Sequence, residues 1–412
     1  MLENKKATSK RISARQRNSS VAEPFPTEAF SGRYAKKDFN SRSMKKKKTP
    51  YICKRKKSIK EARNIENVTL GDVRFQAWYS SWYPKDFLGK ENKIIKDLYV
   101  CSRCFAYSRG EENEELWAWF KHWQICRKKA LPGEKIYVHD EWVERTEDTP
   151  TENKGVLSIW EVDGAIETLF CQNLSLFAKL FLENKSVFFD VSGFNFFLLV
   201  YAPPKTSSDT GLASQIIGFF SKEKISWDSN NLACILVFPP WQRKGLGSLL
   251  IGISYAIAQR KNIMGGPERP ISDLGLKGYR GFWGRKIAKF LLSLDVDVKP
   301  CTIDIETISR ETWISSDDCL TMIKEMDILD YSHDISEGLS NNATTLHKYT
   351  KRGTQDKVQD KLHISINKQR LREWVVREGL QLVRVVSENG FRPGYALEYP
   401  HCEALDSLIN TD

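Results

Sequence analysis

The sequence predicts an α/β (α+β) chain: a mixed-sheet core with a cysteine–histidine finger before it and a helical segment after it. Three observations carry this. Between Val156 and Phe220 the apolar runs read strand, helix, strand, strand. At Leu232–Phe238 a short buried strand stops at Pro239-Pro240, and Leu246, Leu249, Leu250, Ile253 and Ile257 then recur at helical spacing. Four thiol and imidazole side chains lie at metal-ligand spacing between 101 and 126.

The N-terminal part is set apart by charge. The chain has 412 residues, 63 Lys+Arg, 52 Asp+Glu and a net charge of +11. Residues 1–63 hold 20 bases and 5 acids, a net of +15, which leaves −4 for the rest. That segment lacks apolar periodicity, so residues 1–64 are expected to form a basic disordered tail. Its clusters Lys45–Lys48 and Lys54–Lys57 read as a nuclear import signal, as a phosphate-contacting arm that could touch DNA, or as a solvated tail with no partner. The length suggests two or three domains, and a 41% hydrophobic fraction suffices for a core. Nine cysteines are too sparse for a disulfide scaffold. The first 20 residues lack the apolar segment of a signal peptide, and no run reaches 18 apolar residues. A soluble protein of a reducing, intracellular compartment is expected.

Folded sequence should begin near Val68, with Phe75–Pro84 aromatic and β-prone. Residues 140–152 carry six acids and one base and read as an exposed insertion. Asn173–Leu182 reads as a helix, and Ser186–Phe189, Phe194–Tyr201 and Gln215–Phe220 read as strands, with a loop at 202–214. Past Trp283 the chain reads as mostly helical, with Ile303–Arg310 and Ser316–Met326 as candidate helices and 331–358 as a flexible insertion. The expected organisation is a finger region at 65–137, a core at 156–290 and a C-terminal segment at 291–400, within one domain spanning 65–400.

The finger pattern is Cys101-x2-Cys104-x17-His122-x3-Cys126. Zinc takes four ligands at tetrahedral corners. A Cys-x-x-Cys knuckle supplies two from one turn, and His-x3-Cys supplies two from one helical face. The 17-residue gap is longer than usual, and buried cysteines beside a surface histidine are the alternative. With all four positions filled by protein, the metal's role would be structural.

From Ala233 to Ser248 the sequence reads as strand, proline stop, basic glycine turn and helix. Gln242, Arg243, Lys244, Gly245, Leu246, Gly247 and Ser248 would place free N–H groups and positive charge at a helix N-terminus, which suits a pyrophosphate. A lone Gly-x-Gly turn is common, and the third glycine of a dinucleotide fingerprint is absent. The turn is similar to the Arg/Gln-x-x-Gly-x-Gly/Ala signature of the acetyltransferase superfamily.

The long stretches Ala233–Ser248, Gly266–Leu276 and Gly278–Trp283 closely resemble MYST-type histone acetyltransferases. So do Leu169–Leu174, Ala178–Leu182 and Gly218–Lys224. The resemblance covers about residues 65–330, and 359–400 more weakly. Asn184-Lys185-Ser186 and Ile235–Pro240 look most like the fungal "something about silencing" branch. The resemblance implies a GNAT-like core with an N-terminal zinc finger and a C-terminal winged-helix-like segment. It further implies acetyl-CoA as co-substrate, structural zinc, a histone tail (histone four on family analogy) on the nucleosome as acceptor, non-catalytic partner subunits and a nuclear location.

Residue by residue, Glu268 matches the family's catalytic glutamate; taken alone, it reads as a solvated surface residue on a proline-stiffened loop. Cys234 matches the active-site cysteine, which either carries the acetyl group or is an inert strand residue. Backbone N–H groups of Ile235, Leu236 and Val237 would hold the acetyl carbonyl and pantetheine arm. Ser272 either sits near the leaving thiolate or caps the helix at Asp273. Lys185 matches the autoacetylated lysine, or is a surface lysine after a helix. Gly278, Gly281, the acidic insertion and the long finger gap depart from the pattern. Two rival readings remain: an inactive zinc-finger chromatin- or DNA-binding module, and an acetyltransferase for non-histone lysines.

Overall fold

The computed structural model describes residues 63–89, 94–109, 119–122, 124–126, 130–139, 155–186, 189–204, 214–294, 301–328, 363–383 and 385–397. The basic tail up to residue 62, the acidic stretch 140–152 and the insertion 331–358 lie outside the described residues.

The centre is a five-stranded antiparallel sheet in the order β5-β6-β7-β8-β9. Its strands are β5 (Glu134–His139), β6 (Val156–Asp163), β7 (Phe194–Ala202), β8 (Gln215–Glu223) and β9 (Cys234–Val237). Strand β7 reads Phe-Asn-Phe-Phe-Leu-Leu-Val-Tyr-Ala, a continuous apolar run rather than an alternating one. The reason is that both faces of the sheet are covered. Leu157, Ile159, Phe197, Leu199, Ile217 and Phe220 face one core, and Val162, Phe196, Leu198, Ile216 and Phe219 face the other. Phe197 stacks on Phe220 with ring centroids 4.5 Å apart. Such a pair adds about 0.5–1.5 kcal/mol to what area burial alone supplies.

Helix α1 (Thr168–Lys179) covers one face together with a smaller sheet ordered β2-β1-β3-β4. The small sheet comprises β1 (Ile65–Leu70), β2 (Val73–Gln76), β3 (Ile95–Val100) and β4 (Tyr107–Arg109). Folded structure thus begins a few residues before the expected Val68, and of the aromatic stretch Phe75–Pro84 only its first two residues are in a strand. The opposite face carries α2 (Leu246–Arg260) and α3 (Asp273–Ser293). Leu246, Leu249, Leu250, Ile253 and Ile257 are all buried there, as their spacing predicted.

Two expectations are corrected. The helix foreseen at Asn173–Leu182 begins at Thr168 and ends at Lys179, because Leu169, Phe170 and Cys171 continue its turns upstream. Ser186 and Phe189 are not in a strand, and 187–188 lie outside the described residues. Instead Phe189 C=O accepts a bond from Gln172 Nε2 at 2.8 Å, which ties this segment to α1.

The C-terminal region consists of β10 (Cys301–Asp304), α4 (Ile305–Thr312), α5 (Ser316–Met326), β11 (His363–Ile366) and α6 (Lys368–Arg377). Helices with a two-stranded antiparallel β10-β11 ribbon are the parts of a winged helix. The helix expected from Ile303 starts at Ile305, because Asp304 accepts from Thr307 N–H at 2.7 Å and so caps it, while Ile303 pairs in the ribbon. No helix among the described residues is long and apolar enough to cross a membrane.

Candidate active site and zinc centre

The finger ligands come together. Strand β3 ends in a tight knuckle, where Cys101 N–H bonds Ala106 C=O at 2.8 Å and Phe105 N–H bonds Cys101 C=O at 2.9 Å. His122 lies on helical backbone, and Cys126 follows one turn later. The ligand atoms of Cys101, Cys104, His122 and Cys126 all lie within 4.8 Å of one another. Cys101 Sγ and Cys126 Sγ are 3.8 Å apart, and Cys104 Sγ is 3.3 Å from His122 Nε2. With Zn–S bonds of about 2.3 Å, tetrahedral S–S edges come to about 3.8 Å. The donor set therefore fits structural zinc. Trp119 stacks on the His122 imidazole and Tyr99 packs against the cluster, shielding it from water.

The second site lies where β9 forms the edge of the central sheet. Phe238 N–H bonds Ile217 C=O at 2.9 Å, which sets the phase of the ladder. By antiparallel alternation Leu236 faces β8, while Ile235 and Val237 turn their N–H groups to the open edge. Gly218 permits this close pairing, since a Cβ there would come within 2.8 Å of Leu236 C=O. Val237 C=O, on the open side, accepts from Gln242 Nε2 at 2.8 Å.

Beyond the Pro239–Trp241 turn the chain is strained by design of its sequence. The strain is at Arg243, whose φ of +66° is left-handed, whereas Gly245 takes φ +80° freely because it has no Cβ. Gly245 is the N-cap of α2 and no side chain caps the helix. The first turn contains no acid. A Cβ on Gly245 or Gly247 would meet nothing within 4 Å, so these glycines leave open space in front of the helix N–H groups. This is a cradle for an anion, with Arg243 and Lys244 exposed beside it. Leu246 contributes only main chain, because its side chain is in the core. Ser248 follows in the first turn of α2. Gln242 is held internally, its N–H bonding Pro239 C=O as well.

Glu268 stands at the other end of β9. Asn231 N–H bonds Gly266 C=O and Glu268 N–H bonds Leu232 C=O, each at 2.9 Å. A parallel bridge between Leu232 and Pro267 joins the two segments. The side chain is exposed, and partial burial with the neighbouring Glu223 pushes its pKa up, opposed by Lys185. Cys234 is half-buried. Desolvation pushes its thiol up, the Lys185 ammonium counters this, and the Glu268 carboxylate adds to it. Lys185 Nζ lies 3.9 Å from Cys234 Sγ. Cys234, Glu268 and Lys185 are thus one cluster. Ser272 accepts from Gly275 N–H at 3.1 Å and caps α3.

Two participants were not foreseen. The Glu223 charge pushes the Glu268 pKa up, and the Ser221 hydroxyl pulls that of the Cys234 thiol down. Both lie on β8, and their two-residue spacing puts them on one face of the strand, a signal available to inspection.

Comparison with known proteins follows this geometry. Residues 62–117 match the MYST family zinc finger domain, and residues 132–371 match the MOZ/SAS family, more than half of the chain. The chain belongs to the MOZ/SAS family. Among curated relatives it is similar to "Histone acetyltransferase MOF" of Drosophila melanogaster, 34% identical over 278 residues, covering 68% of this chain and 29% of that protein. It is also similar to "Histone acetyltransferase Tip60 homolog" of Caenorhabditis elegans, 34% identical over 65% of this chain and 52% of that one. To "Histone acetyltransferase mst1" of Schizosaccharomyces pombe it is 32% identical over 66% and 51%. The chain spans between about a third and about half of the length of these relatives. Cys101 and Cys104 lie inside the segment that matches the zinc finger domain; His122 and Cys126 fall beyond its end at 117, and the fold returns them to the knuckle.

Proposed function

We propose that this chain is a histone lysine N-acetyltransferase, moving an acetyl group from acetyl-CoA to a lysine ε-amine on a histone tail, that of histone four by family analogy. The observation that carries this reading is the placement of Glu268: its own N–H is tied to Leu232, two residues before Cys234, beside the open edge of β9.

A lysine amine has an unperturbed pKa of about 10.4, so about one in 2,500 is neutral near pH 7, a cost of about 4.6 kcal/mol. Glu268 removes that proton, and its raised pKa makes it a better match to the task than an ordinary carboxylate. The amine then attacks the thioester carbonyl. The outward N–H groups of Ile235 and Val237 are the donors available to the developing oxyanion. The C–S bond breaks, the adduct nitrogen passes its second proton to the leaving thiolate, and coenzyme A departs as the thiol, its pyrophosphate being the group that the 242–248 turn would hold. Cys234 is held as a thiol by its surroundings, which favours direct attack over an acetyl-cysteine. Ser272 acts as the α3 cap. Lys185, against Cys234, is the residue to acetylate in cis.

A net of −4 outside the tail, with Glu223 and Glu268 at the site, suits a basic peptide, and the +15 tail suits nucleosomal DNA. Non-catalytic subunits, nuclear location and a silencing role complete the proposal. Mass-spectrometric mapping of acetylated sites on nucleosomes, comparing wild type with Glu268→Gln, tests it. Loss of histone tail acetylation in the variant is expected. No transfer by wild type, with salt-dependent DNA binding intact, would mark an inactive module; modification of other proteins alone would mark a non-histone acetyltransferase.

A further inference from the structure

We propose that Asp318, on α5, is a positioning residue for the Glu268 carboxylate. This rests on reading Glu268 as the general base. The loop carrying Glu268 is fixed on one side by the two main-chain bonds from Asn231 and to Leu232. Those bonds end at Glu268 N–H, and by themselves they leave the chain after it free to pivot. Arg269, the next residue, removes that freedom: its Nη2 donates to Asp318 Oδ1.

Asp318 is a firm anchor. Its side chain is only 5% exposed, against 59% for Arg269. Its other oxygen accepts from Ser315 Oγ at 2.7 Å, and that hydroxyl, the N-cap of α5, accepts from Asp318 N–H at 3.3 Å. A Cβ built on Gly266 would lie 3.5 Å from Asp318 Oδ2, so the carboxylate rests against the main chain of the loop itself. The Glu268 backbone is therefore gripped before the residue by the approach to β9 and after it by the start of α5. The loop and Asp318 are 49 residues apart, so helix α5 carries information about the position of the base. Catalytic groups displaced by about 1 Å can lose roughly 10²-fold in rate, which is the leverage such an anchor has.

The test uses the full-length chain, histone octamers and radiolabelled acetyl-CoA. Asp318→Asn and Arg269→Gln are each expected to lower kcat by about tenfold with KM for acetyl-CoA within about twofold. Added to Glu268→Gln, either should change the residual rate by less than about twofold, because the group being positioned is gone. Rates within about twofold of wild type for both variants would overturn the inference, as would an equal loss with and without Glu268. Should Asp318→Asn fail to fold, Arg269→Gln, whose guanidinium is mostly exposed, decides alone. A Glu268→Gln enzyme as fast as wild type would instead remove the base reading, and the positioning role with it.

Discussion

The finger and the proposed acyl-transfer site of this chain use the same kinds of side chain to opposite ends. In the finger, thiols and an imidazole converge until their donor atoms lie within 4.8 Å, with Cys101 and Cys126 buried and Trp119 stacked over His122. Every donor has a claim on one point, which is what a tetrahedral metal needs. In the proposed acyl site, Cys234, Lys185, Glu223 and Glu268 come from four segments and interact through their charges rather than converging on one point. The helix N-terminus at Gly245 has no cap, and the edge N–H groups of β9 point outward. A structural centre is complete in itself, whereas a catalytic one is kept incomplete for a substrate to finish.

The largest effect should come from the complete site. Replacing Cys126 with Ser, or removing metal with a chelator, takes away a contribution on the order of 10 kcal/mol that couples metal binding to folding. The melting transition of the finger should collapse, and metal analysis of the wild type should find zinc on these four ligands. An unchanged melting curve after chelation would remove the distinction between the two sites.

Next in size is the base proposed for the open site. Glu268→Gln should lower kcat by about 10²–10⁴-fold with little change in KM for acetyl-CoA. In the wild type, kcat/KM should rise with pH through the folded-state pKa of Glu268. Because burial and Glu223 raise that pKa, the acid limb should lie above the ordinary carboxylate range. An acid limb that survives in Glu268→Gln would assign it to another group.

Smaller again is the cradle. Gly245→Val forces a branched residue to φ +80° and puts its methyls into the open space before α2. The left-handed backbone alone costs about 1–2 kcal/mol. KM for acetyl-CoA should rise by about tenfold, equal to about 1.4 kcal/mol, with kcat less affected. Unaltered acetyl-CoA affinity would mean that the phosphates lie elsewhere.

The contrast also explains what was legible in the sequence. The finger is a local pattern, and Cys101-x2-Cys104 with His122-x3-Cys126 announced it despite the long gap. The α2 helix was legible because Leu246, Leu249, Leu250, Ile253 and Ile257 meet one continuous core. Spacing alone could not single out Glu268, which looks like any exposed glutamate in a Gly-Pro loop; resemblance to known relatives did so. Contacts such as Lys185 with Cys234, or Arg269 with Asp318, each spanning 49 residues, are set by tertiary packing and leave no periodic trace. The start of α1 was misplaced because Thr168–Gln172 has a mixed polar and apolar pattern, and packing of Phe170 and Cys171 against the finger-side core supplies what spacing lacks.

The smallest expected effect is at Cys234, and it is the most informative about chemistry. A thiol must ionise to accept an acetyl group. Here the net surroundings push its pKa up, because desolvation and the Glu268 charge outweigh the Lys185 ammonium. The thiolate fraction at neutral pH is thus below that of a free cysteine, and the adjacent carboxylate disfavours it further whenever Glu268 is ionised, which is when Glu268 can act as a base. The two groups work against each other as nucleophile and base, whereas Glu268 and an incoming cationic lysine attract. Cys234→Ala should therefore retain kcat within about threefold once both substrates saturate, and in the wild type Cys234 should be alkylated only slowly by iodoacetamide. Acetyl-cysteine trapped on Cys234 in the absence of acceptor, with activity abolished in the alanine variant while acetyl-CoA still binds, would reverse the assignment and make Lys185 the group that poises the thiolate.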